Sequence, residues 1–600
     1  MVNIKINGKA VQVEDTLTIL QAARKVNVKI PSLCYNPNLE PWASCGICIV
    51  RTAGPGSPRM ARACTTTVTE NMDIITHDPE IISTRKAVME LILSDHPNDC
   101  LQCVRNADCE LRALAADFGI RQARFRKVGV SVPIDDSNPA IVLDPKKCIR
   151  CGRCVKVCQD LQNVWALEFQ GRGFKGKVGG ATGVSLGDGP CIKCGQCAAH
   201  CPVGAIYERD GTGPLWEALQ NPEMHAVVQV APAVRVALAE EFGLPPGTLV
   251  TKKMYAALRL LGFKTVFDTN FSADLTIMEE GTELVKRLTA KDGAEHCDIP
   301  LITSCCPSWV DYLEKYYSDM IPNFSTAKSP QQMMGAMIKT YWAKKASLDP
   351  AKVFSVSVMP CSAKKWENRR NDDMKSAGRH LGVEAGWDVD LSITTRELAR
   401  MIKQAGIEIL DLPDEEVDSP LGPYTGAGTI FGVTGGVMEA AVRSAYFLVT
   451  GKDLGNVNYT PARGLEGVKE AEVDFGVPVG KYGTKIRIAV AHQMGNINTV
   501  LDKVREARNS GGETPYHFVE VMACRGGCVG GGGQPYGCTD DVRKQRTAGL
   551  YTDDEKSQYR CSHQNPHIQE IYKEFLEEPG GHKAHELLHT AYTERSLYVK

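Results

Sequence analysis

The first thirteen residues, MVNIKINGKAVQV, alternate apolar and polar positions as a strand does and predict a hairpin over 2–13. A helix is expected over 18–26, and another after Cys109 through Phe118. From about residue 211 the pattern changes. Short apolar runs at 226–230, 301–303, 354–359, 486–491 and 518–522 alternate with helical stretches such as 233–242 and 278–288, the signature of an α/β fold. Residues 171–189 are rich in Gly and read as a surface loop. Residues 121–140 carry Arg121, Arg124, Arg126 and Lys127 before a Pro/Asp/Ser/Asn stretch. They read as a solvated connector, with a docking patch for an acidic electron carrier as the alternative. The tail, NPHIQEIYKEFLEEPGGHKAHELLHTAY, predicts an amphipathic helix and a His-rich end whose histidines cap or pack.

Six hundred residues suffice for several domains and at least one large core. Hydrophobic residues make up 43% and charged residues 23%, ordinary for a globular chain, and the net charge of −2 offers no argument for a nucleic acid or a membrane surface. The N-terminus has neither a signal pattern nor a twin arginine, and no apolar run is long enough to span a bilayer, so a cytoplasmic protein is expected. Cysteine changes the picture. There are 23, mostly in tight C-x2-C groups, a usage that suits metal-ligating thiolates in a reducing compartment better than disulfides.

Cys34, Cys45, Cys48 and Cys64 resemble the ligands of a plant-type [2Fe–2S] ferredoxin domain, although the first gap is longer than the four-residue spacing of soluble plant ferredoxins. Longer gaps occur in the domains fused to hydrogenases and respiratory complex I; zinc is the alternative for any four cysteines. His96 stands four positions before Cys100-x2-Cys103-x5-Cys109. The set resembles the [4Fe–4S] module of the same two families that is ligated by one histidine and three cysteines. An internal repeat follows: Cys148-x2-Cys151-x2-Cys154-x3-Cys158 and Cys191-x2-Cys194-x2-Cys197-x3-Cys201-Pro202. This is the bacterial two-cluster pattern, in which the fourth cysteine of each run serves the other cluster. Cys148, Cys151, Cys154 and Cys201 are expected to hold one cube, and Cys191, Cys194, Cys197 and Cys158 the other. Four clusters in series suit a relay of single electrons, and the same relay would serve a respiratory enzyme.

The decision falls on three strings further on: TSCCPSW with Cys305 and Cys306, MPCSAKKWE with Cys361, and EVMACRGGCVGGGGQP with Cys524 and Cys528. Together they resemble the three signature motifs of the [FeFe]-hydrogenases. The resemblance covers essentially the whole chain and implies an α/β catalytic domain of two halves around a buried cofactor cleft, preceded by ferredoxin-like α+β iron–sulfur domains. The implied division is 1–78 for the [2Fe–2S] domain, 79–126 for the histidine-ligated [4Fe–4S] domain, 127–210 for the two-cluster domain and 211–600 for the catalytic domain. The implied cofactors are one [2Fe–2S] cluster, three accessory [4Fe–4S] clusters and the H-cluster. The last is a [4Fe–4S] cube joined to a two-iron site that carries CO, cyanide and a bridging dithiolate amine.

Carried over by motif position, Cys306, Cys361, Cys524 and Cys528 ligate the cube, and Cys528 also bridges to the two-iron site. Neighbouring side chains on an extended backbone point to opposite sides, and in the family the first cysteine of the pair, here Cys305, relays protons. A structurally buried thiol is the alternative for Cys305. Lys364 matches the family lysine that hydrogen-bonds a cyanide, with Glu367 a structural carboxylate beside it. Met359 and Met522 match apolar neighbours of the cofactor, and Ala233 falls where some relatives have a serine. Glu280, Glu283 and Arg287 share one helical face and, with Ser325, match the family's proton path to an arginine near the surface; a solvated acidic helix is the alternative. Cys297, Cys538 and Cys561 match no motif. GAGTIFG lacks the glycine spacing of a dinucleotide fingerprint. The implied partners are therefore ferredoxin, a separate flavin/NAD(P)-binding hydrogenase subunit of a possibly electron-bifurcating complex, and the maturation proteins that assemble the two-iron site. A hydrogenase-like iron–sulfur assembly protein and a hydrogen sensor are rival readings, the first without this active-site constellation and the second with the relay cysteine replaced.

Overall fold

The computed structural model describes residues 1–53, 60–125, 132–291 and 297–599. Arg126 and Lys127 of the basic connector lie outside the described residues. The chain forms two compact units. One comprises Met1–Asp160, Trp165–Gly189 and His200–Tyr207; the other comprises Leu161–Val164, Pro190–Ala199 and Glu208–Lys600.

The first unit opens with the hairpin β1 (Val2–Ile6) and β2 (Lys9–Val13), joined at Asn7-Gly8, both with positive φ (52° and 81°). That is the conformation a two-residue hairpin turn requires and Asn-Gly supplies. Helix α1 (Ile19–Lys25) follows, closed by a capping box between Thr18 and Gln21, so the expected span ends on its two caps. Strands β3 (Ile49–Ala53), β4 (Met60–Arg62) and β5 (Asp73–Ile75) complete a sheet in the order β2-β1-β5-β3-β4. Its core includes Ile4, Ile6, Ile19, Leu20 and Ile74. Helix α2 (Pro79–Asp95) starts from an Asp78 cap and ends at His96, and α3 (Glu110–Asp117) starts at Cys109. These two helices bracket the turn that carries Cys100 and Cys103.

The Gly-rich stretch 171–189 is not a simple surface loop. Strand β6 (Ile141–Leu143) precedes a hairpin of β7 (Leu167–Gln170) and β8 (Lys177–Gly180), and β9 (Ile206–Glu208) pairs with β6. Val178, Gly179, Gly180 and Leu186 are buried. A Cβ on Gly180 would lie 2.0 Å from the Val184 carbonyl oxygen, so that glycine permits close packing rather than looseness.

The second unit holds two four-stranded sheets. The first contains β10 (His225–Val230), β11 (Thr265–Asp268), β13 (Val353–Met359) and β14 (Leu391–Thr394), all parallel in the order β11-β10-β13-β14. The second runs β12 (Leu301–Ile302), β17 (Phe518–Met522), β16 (Lys485–His492) and β15 (Val468–Asp474), with only β15, the edge strand, antiparallel. The parallel strands are buried almost throughout, which is why their sequences read as continuous apolar runs. Helix α4 (Thr269–Thr289) extends the expected 278–288 stretch back to an Asp268 cap, and α5 (Pro307–Tyr316) begins directly after Cys306.

The expected helix over 233–242 is instead two short 3₁₀ turns, Pro232–Val234 and Leu238–Phe242. The break has a cause. Arg235 is fully buried and donates to both oxygens of Asp268 (2.8 and 2.7 Å), while the carbonyls of Arg235 and Val236 accept from Val250 and Gly247 outside any helix. The tail forms Pro566–Ile571, a π-turn over Tyr572–Leu576, and His582–Leu588. Buried His589 shares hydrogens with Glu279 (3.0 Å) and Thr326 (2.8 Å), a packing role. Among the described residues no helix is long and apolar enough to cross a membrane.

Candidate active site

Five strands of the second unit end at one cavity of about 80 Å³. Beyond β10 lie Ala231, Pro232 and Ala233; beyond β11, Thr269; beyond β12, Cys305 and Cys306; beyond β13, Pro360 and Cys361; beyond β17, Ala523 and Cys524. The carboxyl ends of parallel strands are where an open α/β sheet presents a ligand crevice. Cys528 joins them through a turn that only glycine can make: Gly526 and Gly527 have φ of 76° and 88°, and a Cβ on Gly527 would meet the Thr434 backbone nitrogen at 2.6 Å.

Cys306, Cys361, Cys524 and Cys528 thus face one cavity. Burial pushes each thiol up, and repulsion by neighbouring cysteines adds to it at Cys361, Cys524 and Cys528, taking Cys361 to about 12. Four thiolates crowded in a dry cavity need a multiply charged cationic group among them, and an iron–sulfur cube meets that need. Among the described residues no three or more His, Cys, Asp or Glu side chains are disposed as ligands of a lone metal ion; these cysteines ring a space instead.

Cys305 also lines the cavity, and burial and then the nearby Glu280 hold its proton on. Glu280 is fully buried, with one oxygen accepting from the Ser304 N–H (3.4 Å) and the other without a hydrogen-bond partner among the described residues. Its pKa is pushed up to about 8, first by burial and then by the charge of Glu283. The Ser325 hydroxyl donates to Glu283 Oε2 (2.9 Å) and also favours the charged form of Glu280. Arg287 donates to Glu283 Oε1 (2.6 Å) and to the carbonyls of Asp298, Pro322 and Phe324. These carboxylates do not form a solvated acidic face. Arg287, expected near the surface, has a side chain only 3% exposed, against 15% for Glu283. A guanidinium does not give up its proton, so its place is to orient Glu283.

Lys364 Nζ donates to Glu367 Oε2 (2.9 Å) and to the Cys305 carbonyl (3.2 Å). Burial opposes its charge, but Glu367, Cys361 and Cys305 outweigh burial and raise its pKa. Ser329 and Gln331 also donate to Glu367 (2.9 and 3.0 Å), which holds that carboxylate as a bracket for the ammonium. Met359 and Met522 line the cavity. Ala233 does too, and its carbonyl accepts from Gln534 Nε2 (2.8 Å). Thr269, Gln331, Phe431 and Gly432 complete the walls without any sequence signal of their own. Gly432 is the last residue of GAGTIFG, and Gly428 of the same string serves packing: a Cβ there would lie 2.4 Å from the Asn270 carbonyl oxygen.

The upstream ligand candidates fall into sets. The thiol of Cys34 meets those of Cys45 and Cys64, and Cys48 meets Cys64. Within the histidine-led run, Cys103 bears electrostatically on Cys109, and the Asn98 N–H donates to His96 Nδ1 (3.4 Å). Cys148, Cys151, Cys154 and Cys201 line one small cavity. Cys191, Cys194 and Cys197 share a turn that belongs to the same unit as the large cavity. There Gln196 Nε2 donates to Cys524 Sγ (3.1 Å) and to the Gly530 carbonyl (3.0 Å). A Cβ on Gly532 would meet the Cys194 carbonyl oxygen at 2.3 Å, so the two cysteine segments touch backbone to backbone. Cys297, Cys538 and Cys561 line neither cavity.

Five family models match the chain. The C-terminal domain of the iron only hydrogenase large subunit matches over 224–532, and the iron hydrogenase small subunit over 540–595. Upstream, the NADH-ubiquinone oxidoreductase-G iron–sulfur binding region matches over 85–124, a 2Fe–2S iron–sulfur cluster binding domain over 1–79, and a 4Fe–4S dicluster domain over 147–205. The NADP-reducing hydrogenase subunit HndD of Solidesulfovibrio fructosivorans is 45% identical, over 99% of both chains. Iron hydrogenase 1 of Clostridium pasteurianum is 39% identical over 99% of this chain and 100% of its own. An apo [FeFe]-hydrogenase structure from Chlamydomonas reinhardtii matches 64% of this chain and 99% of its own, with 41% identity and a TM-score of 0.55. With its cysteine-ringed cavity and its iron–sulfur segments, this chain belongs to the iron-only, or [FeFe], hydrogenase family.

Proposed function

We propose that this chain is the hydrogen-activating subunit of an NAD(P)- and ferredoxin-linked hydrogenase, interconverting hydrogen with two protons and two electrons in either direction. The observation that carries the reading is the single cavity on which Cys306, Cys361, Cys524 and Cys528 converge beside Cys305 and Lys364. Those four cysteines would hold the cube of the H-cluster, with Cys528 as the bridge to its two-iron part, in a cleft between two α/β halves. When bound, that group supplies the redox chemistry of hydrogen.

The residues around it do the rest. Lys364, kept charged by Glu367, offers an ammonium to the anionic ligands of the group. Met359, Met522 and Ala233 keep its surroundings apolar. Cys305 holds a proton at Sγ, Glu280 exchanges one at its carboxyl near neutral pH, and Ser325 carries it to Glu283, which Arg287 orients toward the outside. Electrons travel through a [2Fe–2S] cluster on Cys34, Cys45, Cys48 and Cys64, a cube on His96, Cys100, Cys103 and Cys109, and two cubes on the crossed sets of the repeat. These segments correspond to 1–78, 79–126 and 127–210, with 211–600 as the catalytic domain. The cytoplasm is the compartment that suits so many reduced thiols.

Identity of 45% along the whole of a subunit named as NADP-reducing supports membership in a complex with a flavin/NAD(P)-binding subunit. A stand-alone ferredoxin hydrogenase is the second reading, favoured by the full-length match to iron hydrogenase 1. Dedicated maturation proteins would install the two-iron group in either case. The test is hydrogen-dependent NAD(P)⁺ reduction by the native protein purified without oxygen and with its partners, with and without oxidised ferredoxin. Reduction of NAD(P)⁺ only alongside ferredoxin establishes a bifurcating complex. Reduction of ferredoxin by the single chain establishes the second reading, and no hydrogen turnover in either preparation refutes both.

A further inference from the structure

The turn that carries Cys191, Cys194 and Cys197 also carries a buried lysine whose surroundings hold an excess of positive charge. Lys193 sits between two of the cysteines with φ +62° and is 4% exposed. Its Nζ donates to Asp311 Oδ2 (2.6 Å) and to the Cys191 carbonyl (3.2 Å). Lys315, one turn beyond Asp311 on α5, donates to the same two acceptors, at 3.1 Å each. Arg595, from the C-terminal segment, donates to Asp311 Oδ1 (2.5 Å). Three cations therefore close on one fully buried carboxylate. Nearby Glu314 pairs with Arg370 (3.1 Å) and also lies 3.9 Å from Arg595, so the two acids face four cations and the surplus remains positive.

Trp366 lies under both Lys193 Nζ and Arg595 Cζ, 4.7 and 5.3 Å from the ring centre, and seals one side of the group. An ammonium taken out of water is costly to fold around. An apolar side chain would fill the same space, so its presence here calls for an electrostatic reason.

We propose that Lys193 and Lys315 raise the reduction potential of the iron–sulfur cluster bound by Cys191, Cys194 and Cys197, making it a one-electron store beside the catalytic cavity. This rests on the cluster assignment made above. Fixed positive charge favours the reduced, more negative form of a cluster. The step tuned is a one-electron reduction, with the electron supplied by hydrogen oxidation or by the external carrier; no bond forms and no proton is taken up. The Gln196 bond to Cys524 marks this cluster as the one that exchanges electrons with the cavity. A raised potential keeps an electron ready there while a second is handled.

The experiment is a redox titration of the cluster-loaded full chain followed by electron paramagnetic resonance, with Cys194→Ala identifying the signal. Lys193→Met is expected to lower the reduced-to-oxidised ratio at a fixed potential by about tenfold, a shift of about 59 mV for one electron. Lys193→Arg, which keeps the charge, is expected to stay within about twofold of wild type. If Lys193→Met fails to load iron, Lys315→Met carries the test, because its ammonium reaches the same carbonyl from α5. An assigned signal whose midpoint does not move in the Met variants, or moves as far in Lys193→Arg, overturns the proposal alone. A Cys194→Ala protein that loses no signal overturns the cluster assignment and the proposal with it.

Discussion

Glu280→Gln separates proton transfer from everything else that Glu280 does. The amide keeps the size and polarity of the protonated acid, so the Ser304 bond and the packing of α4 persist, but it has no carboxyl proton to pass on. The structure sets the magnitudes. A pKa raised from 4.5 to about 8 in a fully buried carboxyl corresponds to roughly 5 kcal/mol between its two protonation states. Because the folded value is raised, the folded chain holds a proton that the unfolded chain has released. The stabilisation is fully present below pH 4.5 and is lost as pH rises through about 8. Gln cannot titrate, so the variant should lack this part of the pH dependence, gaining on wild type between about pH 4.5 and 8 and levelling off above that. Hydrogen turnover should meanwhile fall by about 10²–10⁴, the usual worth of a positioned proton-transfer group. The assays are hydrogen evolution from a reduced low-potential dye across that pH range, iron content, and thermal unfolding of both proteins. Turnover above a tenth of wild type at equal iron would remove Glu280 from the path. An unchanged pH slope of stability would refute its burial as the source of the raised pKa.

Cys305→Ala should retain iron and lose turnover by a similar 10²–10⁴, and more than a tenth of normal activity would make that thiol structural. Gly527→Ala must place a Cβ 2.6 Å from a backbone nitrogen at φ +88°, at a strain of about 1–3 kcal/mol; it should lose cavity iron and at least tenfold in turnover while the upstream iron stays, as separate iron counts on the loaded protein will tell. Arg235→Met leaves Asp268 buried without its cation and should cost about 3–5 kcal/mol, seen as a lowered unfolding temperature.

The sequence was most legible where chemistry is carried by residue identity and spacing. Each of these cysteine strings stands directly after a strand that is buried on both faces and mostly apolar, so strand and ligand announce each other, and the cavity could be anticipated from Cys305, Cys361 and Cys524. It was least legible where a residue's role depends on a distant partner. Arg235 reads as one polar position in a helical pattern, yet its pairing with Asp268 breaks that helix and ties the 231–234 turn to the start of α4. Arg287 reads as a surface arginine at a helix end, but three carbonyls from other segments draw it inside. Strands β11 and β14, of four residues each, are too short for their periodicity to register. Gln331 and Thr269 offer no signal, since a lone amide or hydroxyl becomes part of a site only through the walls around it.

The interleaving of the two compact units has a consequence for inheritance as well as for engineering. Two short upstream pieces, Leu161–Val164 and Pro190–Ala199, belong with the unit that houses the cavity, so the line between relay and catalyst is not a single point along the gene. Gln162 donates to the Ala523 carbonyl, and Lys193 to Asp311. A lineage that shed everything before residue 210 would leave the Ala523 carbonyl, next to Cys524, without its donor and Asp311 with two of its three cations. Such a lineage would be expected to supply another donor to that carbonyl. The loss of an ancestral relay could therefore be read from the polar groups that its shortened descendants carry around Ala523 and Asp311.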